Sequence, residues 1–91
     1  MSGIAAQVGG YKLISATGNV SPISKKMLGI FVSASTSGTV TIYDSATTGT
    51  GTKVVDTVTL TAGTWYTMPI AFASGIYIVV GGTLSATVVY A

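Results

Sequence analysis

Glycine breaks every stretch of this chain long enough to form a helix, and valine, isoleucine, threonine and tyrosine fill the intervals between breaks. Short β-favouring segments of roughly five to eight residues, divided by Gly-, Ser- and Thr-rich turns, read as an all-β chain. The expected architecture is a single compact β-sandwich or jelly roll of about eight short antiparallel strands. Strands are expected near 4–8, 11–16, 27–35, 39–44, 53–60, 64–72, 76–80 and 84–90. The tight connections would be Thr36-Ser37-Gly38, Thr61-Ala62-Gly63, Ala73-Ser74-Gly75 and Gly81-Gly82-Thr83, each offering glycine where a hairpin turn wants a positive φ. Residues 45–52 form the longest turn-like stretch and suit an exposed loop. Pro22 suits a turn or edge, and Pro69 an edge strand or a bulge.

Side chains along a strand point alternately to opposite faces, so parity sorts core from surface. Leu28, Ile30, Val32 and Ala34 form one inward set, joined by Val40 and Ile42, Val58 and Leu60, and Leu84, Ala86, Val88 and Tyr90. Ile76-Tyr77-Ile78-Val79-Val80 has no such alternation, because every position is apolar. With Ile76, Ile78 and Val80 facing the core, Tyr77 and Val79 fall outside, with the parity of Phe31, Tyr43 and Val89. These five residues, Phe31, Tyr43, Tyr77, Val79 and Val89, are the candidate interface: a contiguous apolar surface for another molecule to cover.

Charge supports that reading. Only 7% of the 91 residues are charged, against about 25% in an ordinary soluble domain. The mean hydropathy is +0.69, so little repulsion keeps copies apart. A domain of this size buries only about 60–65% of its unfolded surface, which makes any covered face energetically important.

The same composition excludes several functions. With no cysteine and no histidine, disulfides, thiolate metal sites and the commonest general base are ruled out. With no arginine and a net charge of +2, a nucleic-acid partner is not expected. The longest apolar runs fall well short of the roughly 18 to 20 residues of a membrane-spanning helix, and the N-terminus lacks a secretory pattern, so no membrane partner is expected either.

Candidate chemistry is sparse. Asp44 and Asp56 are the only acidic residues; a carboxylate pair could serve acid–base work or hold calcium, but Asp44 stands where an aspartate forms a turn and a calcium cage wants six to eight oxygens. Thr48–Lys53 lacks the spacing of a phosphate loop. Ser24-Lys25-Lys26 places nucleophile and base on opposite sides of an extended segment, and two lysines there suit the guarding of a strand edge. Asn19-Val20-Ser21 matches a glycosylation sequon but reads as a turn. Trp65 and Tyr66 could stack on a sugar, as in a carbohydrate-binding β-sandwich module, or pack in the core and at an edge. No catalytic residue, metal ligand or cofactor site is expected, and the chain is not expected to be an enzyme.

Within Gly29–Ala91, several stretches recur in a recognisable order: Gly29-Ile30-Phe31-Val32, then Ser37-Gly38-Thr39-Val40-Thr41-Ile42-Tyr43-Asp44 and a Thr/Gly loop. Thr61-Ala62-Gly63, Pro69-Ile70-Ala71-Phe72, the Gly75–Gly82 segment and Val88-Val89-Tyr90 follow. This pattern, over about two thirds of the chain, resembles small virion proteins of tailed bacteriophages, of the capsid decoration or cement type. The resemblance implies a jelly-roll or β-sandwich module at residues 29–91; residues 1–28 lie outside it and are expected to supply an N-terminal arm and first strands. It implies a symmetric homo-oligomer, often a trimer, made in the host cytoplasm and placed on the capsid surface against the major capsid protein. A tail or fibre component would use the same fold.

Overall fold

The computed structural model describes residues 10–21, 25–47 and 51–91. They form six strands and no helix: β1 (Gly10–Ile14), β2 (Gly18–Ser21), β3 (Lys25–Asp44), β4 (Thr52–Thr59), β5 (Thr64–Phe72) and β6 (Ile76–Tyr90). All pair antiparallel in one sheet. The all-β class expected from the sequence is the class observed.

The strand count differs, for one physical reason. Segments 27–35 and 39–44 are parts of the single 20-residue β3, and 76–80 and 84–90 are parts of the 15-residue β6. At about 3.3 Å per residue a straight β3 would run roughly 66 Å, yet the longest dimension of the fold is 40 Å. Both long strands therefore bend. Their ladder slips between Thr36 and Thr39, where Ser37 takes a φ of 54° and Gly82, facing it, a φ of 66°. A Cβ on Gly82 would collide with the Ser37 carbonyl. Thr36-Ser37-Gly38 and Gly81-Gly82-Thr83 are thus bends inside continuous strands, not hairpin turns.

The bend divides the sheet into two halves. In the first, β1 pairs with the C-terminal part of β6, which pairs with the N-terminal part of β3, which pairs with β5. In the second, β2, the N-terminal part of β6, the C-terminal part of β3 and β4 follow in the same manner. Thr61-Ala62-Gly63 and Ala73-Ser74-Gly75 carry the chain between halves instead of reversing it between neighbours. Gly63 does adopt a positive φ, of 75°. The expected edge role of Pro69 holds, since β5 pairs with β3 alone.

Inward side chains of both halves meet in one cluster. Met27, Ile30, Val32, Ala86 and Val88 come from the first half, and Val40, Ile42, Ile76 and Ile78 from the second; none is more than 1% exposed. The thinnest dimension, 17 Å, accommodates two backbone layers at the usual spacing of about 10 Å. Inner faces that share a core leave the outer faces turned away from each other. Two residues of the expected core moved because of bulges. A register slip between Met27 and Gly29 buries Met27 and leaves Leu28 half-buried, and a slip between Val32 and Ala34 turns Ala34 out.

The expected first strands join the main sheet. Ile14, Val20 and Met27 are core residues, so β1, β2 and the start of β3 pack into the same core as residues 29–91. The strand expected at 4–8 and the turn at Pro22 lie outside the described residues. Strand β2 has the turn-like composition Gly18-Asn19-Val20-Ser21 and becomes a strand through its pairing with β6.

Candidate functional site

The outer face of the first half carries two adjacent cross-strand rows. One runs Tyr11–Val89–Gly29–Thr67 and the other Leu13–Thr87–Phe31–Trp65. Tyr11 is 74% exposed, Leu13 62%, Trp65 45% and Phe31 42%. Val54, on β4, is the other large apolar side chain in the described residues that is comparably open. The four therefore concentrate in one band, and that band holds no charged side chain.

Trp65 is fixed within it. Its Nε1–H donates to the Thr67 hydroxyl at 2.9 Å, and the benzene half of the indole occupies the space a side chain on residue 29 would need. A Cβ there would come within 2.5 Å of Cζ2 and 2.7 Å of Cη2. Glycine at 29 is what lets the ring settle on the sheet.

The outer face of the second half is quieter. Tyr43 and Tyr77 are direct cross-strand partners and Val79 stands opposite Thr41. All three are half-buried. The Thr41 and Thr57 hydroxyls are hydrogen-bonded at 2.7 Å, and the Lys53 ammonium lies 6.0 Å from the Tyr43 ring centre. The five interface residues expected from parity thus fall on two surfaces. Phe31 and Val89 are on the first half, and Tyr43, Tyr77 and Val79 on the second. The bend in β3 and β6 separates them, and a parity argument does not register a bend. Tyr11 and Leu13 were missed because a five-residue strand beginning with Gly-Tyr-Lys does not declare its face; pairing with Val89 and Thr87 does.

The remaining polar residues hold structure. The Asp44 carboxylate accepts N–H bonds from Ser74 (2.8 Å), Ala73 (3.1 Å) and Gly75 (3.3 Å), pinning the crossover to β6. These bonds, that from Ser74 foremost, hold its pKa below the usual carboxylate range. Asp56 lies on β4, paired with Lys53 at 3.3 Å and bonded by the Thr57 N–H, so each aspartate has its own partners. Asn19 Nδ2 donates to the carbonyls of Ala46 (2.8 Å), Ser21 (3.0 Å) and Ile76 (3.3 Å), which engages the nitrogen a glycan would need. Lys25 and Lys26 open the central strand β3 and guard no edge; Lys25 Nζ sits 5.9 Å from the Tyr90 ring centre. Tyr66 is directed toward the core and its hydroxyl accepts the Thr61 N–H at 2.8 Å. Trp65 and Tyr66 therefore face opposite ways and cannot form a joint sugar platform. Among the described residues, no three acidic, histidine or cysteine side chains gather as metal ligands.

Asp44 supports a pH prediction. A carboxylate with a depressed folded-state pKa adds stability above its unfolded pKa and loses it as pH falls through the lower folded value. Asp44→Asn is expected to cost about 1–2 kcal/mol at neutral pH. It should also flatten the decline in Tm as pH falls below the ordinary carboxylate range of about 4. Thermal melts across that range would read both effects; an unchanged slope would assign the acid sensitivity elsewhere.

No known protein family, curated protein or solved structure matches the chain.

Proposed function

We propose that this protein is a structural virion component, a capsid decoration or cement module of tailed-bacteriophage type that works through its surfaces. The observation that carries the reading is a cross-braced sheet whose two halves turn partly apolar outer faces, with few charged side chains, away from each other. Strand order adds support. With β3 and β6 each counted as two segments, the first half reads first-eighth-third-sixth and the second reads second-seventh-fourth-fifth. A jelly roll of two Greek keys would have this order, which supports the reading.

In this reading the outer face of the second half, centred on Tyr43, Tyr77 and Val79, lies against the shell or a neighbouring copy. A closed homo-oligomer, a trimer, would bridge subunits of the major capsid protein on the virion surface. Partners that bind only the assembled form stabilise it by mass action.

The test pairs two measurements. Native mass spectrometry is expected to give a closed oligomer, and co-sedimentation is expected to place it on phage shells. Tyr77→Lys combined with Val79→Lys, which sets two charges on that face, should reduce shell binding at least about tenfold while the fold persists. A double variant that binds shells like the parent would remove this face from the proposal. A parent that ignores shells would remove the capsid role itself.

A further inference from the structure

We infer that the outer face of the first half is a binding platform for a neutral carbohydrate chain, centred on Trp65 and Phe31 and extended by Tyr11 and Leu13. The site is independent of the capsid reading, since it uses the opposite face of the molecule.

Three features of the band select that ligand. The first is size. With about 150–250 Å² for each aromatic side chain and somewhat less for Leu13, the exposed fractions of the four residues amount to roughly 400–500 Å². A standard protein–protein interface needs about 800 Å² from each partner. The exposed apolar side chains of the band amount to about half of that, a surface of the size a narrow ligand a few sugar rings long would cover.

The second feature is charge. None of the eight residues in the two rows is ionic, so there is no counter-charge for an acidic or basic partner, and an uncharged ligand loses nothing by docking there. Thr67, Thr87 and the Tyr11 hydroxyl supply hydrogen-bonding capacity beside the apolar surface, the mixture a sugar ring with apolar C–H faces and equatorial hydroxyls requires.

The third is rigidity. The Trp65 indole is tied to Thr67 and seated over Gly29, and Phe31 is its direct cross-strand neighbour on a central strand. An aromatic surface already ordered before binding sacrifices little entropy when the ligand arrives.

Trp65 is the only tryptophan in the chain, so its fluorescence reports the platform directly. The purified protein would be titrated with cellohexaose, maltohexaose and N-acetylchitohexaose, each to about 5 mM, a range that detects weak sites. A saturable change in emission is expected with at least one. Phe31→Thr keeps both a strand-compatible residue and the reporter, and should weaken that titration at least tenfold; calorimetry should find the same loss in Trp65→Ala. Tyr66→Phe, altered on the inner side, should titrate like the parent. The inference is overturned if no hexaose changes the emission, or if Phe31→Thr binds as tightly as the parent. It is also overturned if emission shifts with protein concentration alone, which would make a second copy the occupant.

Discussion

Asn19→Asp is expected to be the most damaging single-atom change available to this protein. The amide nitrogen of Asn19 supplies hydrogen bonds to three backbone carbonyls, those of Ala46, Ser21 and Ile76, from three separate parts of the chain. A carboxylate of the same shape would turn an acceptor toward those acceptors and bring a charge into a half-buried site. Breaking such an arrangement costs about 3–5 kcal/mol, a large share of the stability of a domain this small. At roughly 4–8 °C per kcal/mol, the loss in Tm at neutral pH should be about 12 °C or more. The sign of the pH dependence makes the test specific. Carbonyl oxygens disfavour the ionised form, so the introduced group would have a raised folded-state pKa, and part of the lost stability should return as acid protonates it into a donor. That is opposite to the behaviour expected around Asp44. A variant whose melting temperature is unaffected at neutral pH would mean that the three bonds contribute nothing.

The second large effect is expected at the bend. Gly82→Val asks a β-branched residue to adopt a φ of 66°, and its Cβ would meet the backbone carbonyl of Ser37, which has no flexible end to move aside. Strain and overlap together should exceed about 3 kcal/mol. The expected outcome is an unfolded or aggregated product by circular dichroism and native mass. The companion change is Ser37→Gly. Ser37 holds a φ of 54°, and replacing it with glycine should relieve about 0.5–1 kcal/mol of backbone strain and raise Tm by a few degrees. If Gly82→Val folded normally, the two strands would have to cross the bend differently.

Much of the fold could be read from local pattern. The segment 64–72 was bounded correctly as β5, and the inward parities of Val40 and Ile42, of Ile76 and Ile78, and of Leu84, Ala86 and Val88 all correspond to buried side chains. What local pattern could not separate was a bend from a reversal. Gly38 and Gly82 interrupt β-favouring runs just as hairpin glycines do, and only the partner strand shows that the ladder continues through them. The same ambiguity spread into the site. Parity placed Phe31, Tyr43, Tyr77, Val79 and Val89 on outer faces, but one continuous surface required straight strands. Trp65 and Tyr66 were separable in principle, because adjacent strand residues point oppositely; which of them faces water depends on the pairing of Ile30 with Tyr66 and Phe31 with Trp65. Strand β2 stayed hidden because its residues favour turns, and its pairing with β6 overrides that preference.

The two long strands that run through both halves have a consequence for how the molecule comes apart. Neither half has a hydrogen-bonded centre of its own, because the middle of each is a length of β3 beside a length of β6. Fraying one half strips register from the other, so partial opening has no stable resting place short of full unfolding. Amide protons along β3 and β6 should therefore exchange together, at the rate set by global opening, while those of the edge strands β1, β2, β4 and β5 exchange sooner by local fraying. A protease would meet either an intact substrate or a fully open one, with no surviving fragment in between. Durability of that all-or-none kind would suit the shell-binding role proposed above.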